Sequence, residues 1–318
     1  MPLVSVVIPT FNRRKYICDA IDSVLNQSFR DFEIIVVDDG STDGSGEVIE
    51  QKYGDAVRYV YQQNQGRSAA RNAAMQLARG RYIAFLDSDD AWKPEKLERQ
   101  IRILESSEDV GFVHTFTEVI NADGSANHIE TERRMKLYRK AVKRGYTFLG
   151  MSQECIMFLS SVMVRRSLVE TVGPMDQELA AFEDWDWYLR MVRIAKIATL
   201  TQRLVSFRLH AGNTSTKEFI EGRIKTCRKH LGLLESACED KIARSNFYAQ
   251  MATAYYLQAE SKQCTQNIWK ALQCYPFALF KYSNARPILS LILPAWLMGW
   301  MRRAALWFRL RGNSYDQI

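Results

Sequence analysis

Short apolar runs alternate with amphipathic stretches through the first hundred residues, and this alternation constrains the fold more than any other feature. The apolar runs are rich in β-branched residues, which is typical of strands buried on both faces. In the stretches between them, apolar residues recur every three or four positions, which predicts helices. The predicted strands are residues 3–8, 33–37, 57–61 and 82–86, and the predicted helices are residues 14–27, 45–53 and 67–78. Strands that alternate with helices predict an α/β fold with a mostly parallel sheet.

Composition and charge divide the chain into two parts. The 318 residues are 47% apolar and 25% charged, which is typical of a globular protein with one large or two smaller domains. Residues 219–318 carry a net charge of +8 and residues 1–218 carry −1, so the total of +7 lies in the last third. We therefore expect the two parts to have different partners. No apolar run of 20 residues appears before residue 286, which excludes a multi-pass membrane protein.

The N-terminus and the cysteines indicate a cytoplasmic protein. The first eight residues contain no basic segment and no small-residue cleavage site, so we interpret them as a strand and not as a signal peptide. The six cysteines show no CxxC spacing. This argues against a zinc ribbon or a disulfide framework, and we expect reduced thiols packed in the protein interior.

Polar residues follow three of the predicted strands, at residues 9–12, 38–41 and 87–90. Ligands of parallel sheets bind beyond the carboxyl ends of the strands, so these residues are expected to line one cleft. The first segment lacks the glycine-rich phosphate loops of dinucleotide-binding folds and of P-loop proteins. Carboxylates at two strand ends would repel a diphosphate, and this predicts a divalent cation between them.

Five segments in this order resemble the family-2 glycosyltransferases, which have the GT-A fold. They read VSVVIPTFN at residues 4–12, IVVDDGSTD at 35–43, NQGRSAARN at 64–72, FLDSDD at 85–90 and FEDWD at 182–186. The resemblance covers roughly residues 1–215, and no single motif would suffice. It implies a GT-A nucleotide-diphospho-sugar transferase domain over residues 1–215, followed by a helical, basic C-terminal region at 216–318.

The resemblance also implies an activity. Such enzymes transfer a sugar, with inversion, from a nucleotide-diphospho-sugar to the hydroxyl of a polysaccharide, a lipid-linked glycan or another glycan. UDP-sugars are the commonest donors among relatives, and dTDP and GDP remain open. We expect no nucleic-acid partner, and self-association is left open. Two alternatives are weighed: a sugar nucleotidyltransferase, which should have a glycine-rich basic loop at residues 9–12, and a catalytically silent nucleotide-sugar-binding protein.

On the donor side, the resemblance assigns the nucleotide contacts to strand-end residues and to one helix. Asp39 would accept a hydrogen bond from the donor base, Arg71 would contact the nucleotide, and Asp87 would lie near the ribose. Asp89 would bind Mg²⁺ or Mn²⁺ that chelates the diphosphate, because these ions prefer oxygen ligands. The remaining donor-site residues are Pro9, Thr10, Phe11 and Ser88.

Two of these roles have structural alternatives. An Asp in the turn after the second strand could instead cap the next helix, and we assign that role to Asp38. An acidic residue ahead of the helix predicted near residue 94 would favour the helix N-terminus, and we assign that role to Asp90.

On the acceptor side, Asp184 would be the base that deprotonates the acceptor hydroxyl, with Glu183 as an accessory. Asp186 is interpreted as a residue that only favours the start of the helix. His210 lies beside the polar loop 211–215, where it either completes the metal site, contacts the diphosphate or serves the structure alone.

The rest of the sequence carries weaker patterns. Residues 110–120 and 160–164 are predicted strands, residues 121–124 a turn, and residues 133–144 a solvated helix or lid. Residues 286–311 combine a short apolar, Trp-bearing stretch with flanking arginines. We expect this segment to lie on an anionic membrane at the cytoplasmic face, or alternatively to pack in a core.

Overall fold

The computed structural model describes residues 1–235 and 241–275. The chain divides into two compact units, of which the first ends at Ser215 and the second begins at Thr216. The predicted membrane-facing segment 286–311 lies outside the described residues and stays a prediction.

An eight-stranded sheet forms the centre of the first unit. Its strands are β1 (Val4–Thr10), β2 (Phe32–Asp38), β3 (Arg58–Tyr61), β4 (Tyr82–Phe85), β5 (Ala91–Trp92), β6 (Val110–Asn121), β7 (Val162–Arg165) and β8 (Lys196–Leu209), in the spatial order β3-β2-β1-β4-β7-β6-β8-β5. The pairs β1–β2, β1–β4, β2–β3 and β6–β8 are parallel, and the pairs β4–β7, β6–β7 and β5–β8 are antiparallel. The sheet is thus largely parallel, as predicted. Each antiparallel pair includes β5 or β7, which come after the four strands predicted in the first hundred residues.

Eight helices belong to the first unit. They are α1 (Ile17–Leu25), α2 (Ser45–Tyr53), α3 (Arg67–Leu77), α4 (Lys96–Ser106), α5 (His128–Arg144), α6 (Phe148–Gln153), α7 (Arg166–Val172) and α8 (Glu183–Met191). Helix α1 begins later than predicted because residues 13–16 form a turn, in which the backbone N–H of Tyr16 donates to the carbonyl oxygen of Arg13. Helix α5 begins before the predicted 133–144 helix, since the Asn127 side chain accepts from the Glu130 N–H and caps it.

The core explains why most of the first strand is apolar. Val6, Val7 and Ile8 are fully buried, so both faces of β1 are covered. On α1, Ile17 and Ile21 are buried at helical spacing. Each such side chain contributes about 1.5–3 kcal/mol of transfer free energy. This packing fixes the carboxyl ends of β1, β2 and β4, where the polar segments begin.

The second unit is helical in its described part, as predicted. It comprises α9 (Thr216–Glu235), α10 (Lys241–Leu257) and α11 (Ser261–Cys274), and α10 packs against both of the others. The buried Ser245 hydroxyl donates to the carbonyl oxygen of Ala271 at 2.8 Å and so ties α10 to α11. Within residues 1–235 and 241–275, no helix is both long and apolar enough to cross a membrane.

Candidate functional site

The three polar segments meet at one edge of the sheet. In the parallel register of β1 and β2, Thr10 lies opposite Asp38, and the backbone N–H of Asp39 donates to the carbonyl oxygen of Thr10 at 2.8 Å. Strand β4 continues on the other side of β1, where the Leu86 N–H donates to the Val7 carbonyl oxygen at 3.0 Å. The segments 9–12, 38–41 and 87–90 therefore lie at the same edge of the sheet, and the predicted cleft between them stays a prediction.

Asp39 is buried and held by neutral donors. Its carboxylate accepts hydrogen bonds from the Gln62 side-chain amide (2.7 Å) and from the backbone N–H groups of Gln65 (3.0 Å) and Gly66 (2.8 Å). Gly66 has a φ of +90°, a conformation that L side chains rarely adopt. A carboxylate has about four acceptor positions, so one remains for a donor base. The predicted contact with the base stays a prediction that this geometry permits.

Asp38 closes a turn and does not cap a helix. Its Oδ1 accepts from the Ser41 N–H at 2.8 Å and its Oδ2 accepts from the Tyr59 hydroxyl at 2.9 Å. Helix α2 starts only at Ser45, after Gly44. The capping role predicted for Asp38 is therefore wrong, because its Oδ1 closes a turn at Ser41 and α2 begins only at Ser45, with Gly44 at the N-cap.

The other predicted donor-site residues lie at the same edge. Pro9 pairs with Val37 at the end of β1, and Phe11 is exposed. Thr10 and Ser88 are buried, and within the described part of the chain the Thr10 hydroxyl has no hydrogen-bond partner. Their contacts with a nucleotide stay predictions.

Arg13, Asp89, His210 and Gly212 form a group that we call the Asp89 cluster. Asp89 Oδ2 accepts from Arg13 Nε at 3.1 Å and lies 2.9 Å from His210 Nε2. Arg13 Nη2 donates to the carbonyl oxygen of Gly212 at 2.9 Å. The sequence pointed to Asp89 and His210, and the structure brings them into contact across 121 positions of sequence.

The hydrogen bonds of His210 fix its tautomer. The Gly212 N–H donates to His210 Nδ1 at 3.0 Å, so Nδ1 carries no proton. In a neutral imidazole the proton is then on Nε2, which donates it to Asp89. Metal ligation through Nε2 would require the other tautomer and would break the bond with Gly212. In this conformation Nε2 is directed at Asp89 Oδ2, and the predicted contact of His210 with the metal or the diphosphate stays a prediction.

The Asp89 cluster fits a cation that is shared with a substrate. Among the described residues, Asp89 Oδ1 makes no hydrogen bond, and this leaves one carboxylate oxygen for a cation. No group of three or more His, Cys, Asp or Glu side chains in residues 1–235 and 241–275 could hold a metal ion. Mg²⁺ and Mn²⁺ commonly take one or two carboxylates and complete their shell with substrate phosphates and water.

Asp90 has a role that the sequence did not reveal. It is buried and accepts hydrogen bonds from the Ser160 hydroxyl (2.6 Å) and from the backbone N–H of Arg208 (3.0 Å). Burial raises the pKa of Asp90 well above its ordinary value, and the charges of Asp89 and Asp87 add to this effect. The predicted role ahead of a helix is wrong, because β8 passes beside Asp90 and supplies a nearer N–H donor.

A second group, which we call the Arg71 cluster, contains Arg71, Asp87, Glu183 and Asp184. Arg71 is buried, with Nη2 2.7 Å from Asp87 Oδ1 and Nη1 2.5 Å from Glu183 Oε1. Its guanidinium thus links the segment after β4 to the start of α8. Glu183, predicted as an accessory, is the partner of a residue 112 positions away. The predicted contact of Arg71 with the nucleotide stays a prediction.

Asp184 lies in the first turn of α8 and is half-buried. Its Oδ1 accepts from the Trp185 N–H at 2.7 Å. Burial raises the pKa of Asp184 to about 7, the charge of Glu183 adds to the rise, and Arg71 opposes it. A carboxylate that titrates near neutral pH is suited to accept a proton from a substrate.

Two residues beside Asp184 define the geometry at the start of α8. Phe182, just before α8, has a φ of 64°, a strained conformation for a side chain with a Cβ. Asp186 is buried and pairs with Arg190 at 3.1 Å, within the same helix. The strained residue gave no signal in the sequence, because only the packed structure fixes its backbone.

Comparisons with known proteins point to one family. The family model described as glycosyl transferase family 2 matches residues 5–166, which is half of the chain. An uncharacterised glycosyltransferase of Nostoc sp. is 33% identical over 217 residues, which cover 66% of this chain and 66% of that protein. Chondroitin synthase of Escherichia coli is 30% identical over 220 residues, which cover 69% of this chain and 30% of that protein. The chain thus spans 66% or less of the length of these two curated relatives.

Solved structures show the same fold. S. aureus TarS 1–349 in complex with UDP-GlcNAc has a TM-score of 0.60 at 21% identity, over 87% of this chain and 82% of that chain. The mannosyltransferase PcManGT from Pyrobaculum calidifontis, in complex with GDP-Man and Mn²⁺, has a TM-score of 0.56 at 18% identity, over 100% and 88% of the two chains. The expected GT-A fold is confirmed. The matched family, the ordered motifs and the fold agree, and the chain belongs to glycosyl transferase family 2.

Proposed function

We propose that this chain is an inverting, cation-assisted glycosyltransferase that moves a sugar from a nucleotide-diphospho-sugar to a glycan hydroxyl. The observation that carries the proposal is the ion-pair bridge from Asp87 through Arg71 to Glu183. Asp87 belongs to the donor segment, and Glu183 precedes the candidate base Asp184. One buried guanidinium therefore holds the donor side and the base side in a fixed relation.

In the proposed reaction, Asp184 accepts the proton of the acceptor hydroxyl. The hydroxyl oxygen forms a bond to the anomeric carbon from the face opposite the diphosphate. The bond between that carbon and the diphosphate oxygen breaks, and its electron pair leaves with the nucleoside diphosphate. The products are a glycoside of inverted configuration, a nucleoside diphosphate and a protonated Asp184.

The Arg71 cluster supports this role for Asp184. With a pKa of about 7, roughly half of the Asp184 side chains are ionised at neutral pH. The carboxylates of Asp87 and Glu183 raise the pKa of Arg71 despite its burial, so its guanidinium stays charged. That charge favours the ionised form of Asp184, which is the form that can take a proton.

The Asp89 cluster supports a cation on the donor side. Asp89 would hold Mg²⁺ or Mn²⁺ through Oδ1, the oxygen to which Arg13 and His210 do not bond. When bound, the cation neutralises the charge of the leaving diphosphate. Asp39, with its remaining acceptor position, would receive an N–H of the donor base.

The relatives indicate the substrate classes. TarS was solved with UDP-GlcNAc and PcManGT with GDP-Man and Mn²⁺. We propose a UDP-sugar as donor. A glycan acceptor is supported by the match to a chondroitin synthase.

The test is the substitution Asp184→Asn, which keeps the shape of the side chain and removes the base. We expect transfer to fall about 100-fold to 10,000-fold while the affinity for UDP stays within about twofold. Asp123→Asn is the matched control, since Asp123 lies in an exposed turn, where its side chain accepts hydrogen bonds from the backbone N–H and the hydroxyl of Ser125. Radiolabelled transfer and calorimetry of UDP give the two readouts. Unchanged transfer by Asp184→Asn would remove Asp184 from the mechanism.

A further inference from the structure

Arg13 holds three loops together from a position that no motif marked. Its Nε donates to Asp89 Oδ2 at 3.1 Å and its Nη2 to the carbonyl oxygen of Gly212 at 2.9 Å. Its Nη1 donates to the carbonyl oxygens of Phe11 and Asn12, at 3.4 and 3.2 Å. One guanidinium therefore contacts the loops after β1, after β4 and after β8.

We propose that Arg13 is a positioning residue that stays bonded to Asp89, the proposed cation ligand, until the donor and a divalent cation bind together. The inference rests on the proposed function, since it takes Asp89 as the cation ligand. It adds an internal counter-cation that makes the binding of the two ligands interdependent.

When a cation binds, two positively charged groups share the Asp89 carboxylate. A divalent cation on Oδ1 and a guanidinium bonded to Oδ2 of the same carboxylate repel each other at a distance of a few ångströms. The Asp89 side chain is only 16% exposed, so water screens this repulsion incompletely. Binding of the cation therefore weakens the bond between Arg13 and Asp89.

Arg13 needs another anion when it leaves Asp89. Among the described residues, Asp89 is its only ion-pair partner, and its other acceptors are neutral carbonyl oxygens. A cation alone supplies no new acceptor, whereas the diphosphate of a donor supplies several charged oxygens. Arg13 therefore weakens the binding of the cation alone. It does not weaken the binding of the cation together with a nucleoside diphosphate.

The consequence is cooperative binding. Mn²⁺ binds weakly to the free protein, and UDP strengthens this binding. By linkage, Mn²⁺ strengthens the binding of UDP by the same factor. Loss of the Arg13 charge strengthens Mn²⁺ binding to the protein without UDP. The strengthening of Mn²⁺ binding by UDP then becomes smaller.

The test measures Mn²⁺ binding to the full chain by electron paramagnetic resonance, with and without UDP. The variants are Arg13→Gln and Arg13→Met, each checked for folding by thermal unfolding; Arg13→Met keeps the aliphatic stem. Arg14→Gln is the matched control, because Arg14 carries the same charge one residue along, is exposed, and bonds to Asp43 instead of Asp89.

Without UDP, we expect both Arg13 variants to bind Mn²⁺ about tenfold more tightly than the native chain, the size of effect of one charge-assisted hydrogen bond. The strengthening by UDP should shrink by at least the same factor, and Arg14→Gln should stay within about twofold. If UDP-loaded native protein binds Mn²⁺ but the folded Arg13 variants show no gain without UDP, the inference fails and the proposed function stands. An Arg14→Gln effect as large as that of Arg13→Gln also overturns the inference. If no protein binds Mn²⁺ even with UDP, the cation in the proposed function fails and the inference fails with it.

Discussion

The Arg71 cluster and the Asp89 cluster each pair an arginine with at least one carboxylate. The two arginines differ in their burial and in the groups that they bind. The Arg71 side chain is 6% exposed and binds two carboxylates, of which that of Glu183 is 4% exposed. The Arg13 side chain is 25% exposed and binds one carboxylate and three carbonyl oxygens. The first arrangement suits a permanent brace, and the second suits a contact that can be exchanged for a ligand.

The energetic reason lies in desolvation. A buried charge that loses its partner cannot be rehydrated without disturbing the packing, so the ion pairs of Arg71 persist. A charge at the rim of a cleft can exchange its partner for water or for a ligand at a small cost. The same chemistry therefore fixes Asp87 and Glu183 through Arg71 and leaves the bond between Arg13 and Asp89 exchangeable.

Arg71→Ala tests whether the buried ion pairs stabilise the fold, because it leaves Glu183 buried without Arg71. We expect the free energy of unfolding to fall by about 3–5 kcal/mol. Chemical denaturation followed by circular dichroism measures it. Arg81→Ala is the control, since Arg81 pairs with Glu105 on the surface and should contribute about 1 kcal/mol or less. If Arg71→Ala lowered the free energy of unfolding by less than about 1 kcal/mol, the Arg71 cluster would not stabilise the fold in this way.

The pH dependence of transfer sharpens the assignment of Asp184. Protonated Asp184 cannot accept a proton, so kcat/KM should rise about tenfold per pH unit below pH 7 and level off above it. The stability effect has the opposite sign. Folding raises the pKa of Asp184 from 3.8 to about 7, so the free energy of unfolding should fall as the pH rises between these values. A rate that is flat from about pH 5.5 to 8 would contradict this account of the base.

The smallest expected effect concerns the loop 210–215. Arg67 Nη1 donates to the Thr214 hydroxyl at 2.8 Å and so ties this loop to the start of α3. Arg67→Gln should cost about 0.5 kcal/mol and speed hydrogen exchange of the loop a few-fold. Arg58→Gln is the control, because Arg58 makes a similar exposed bond to the Leu77 carbonyl oxygen. Equal exchange in the two variants would show that the bond does not hold the loop.

Local patterns predicted much of the sheet. The first strands, the helices between them and the placement of Asp39, Asp87 and Asp89 at one edge of the sheet follow from periodicity and from the position of polar residues after strands. The family resemblance added Asp184 and His210, which the structure places at the start of α8 and beside Asp89. These features depend on residues that are neighbours in sequence or on a motif order.

Long-range contacts could not be predicted in this way. The bond of Arg71 to Glu183, the burial of Asp90 under β8 and the three-loop contact of Arg13 join residues 76 to 199 positions apart. Periodicity shows which face of an element is buried but not which charged side chain will meet it. The antiparallel pairing of β7 was missed for the same reason.

Calorimetry of UDP with Mn²⁺ and with a chelator measures whether the donor diphosphate is held through a cation at Asp89. The account predicts that UDP binds with Mn²⁺ and that EDTA, or Asp89→Asn in the presence of Mn²⁺, weakens this binding at least about tenfold. Binding of UDP as tight with EDTA as with Mn²⁺ would contradict it.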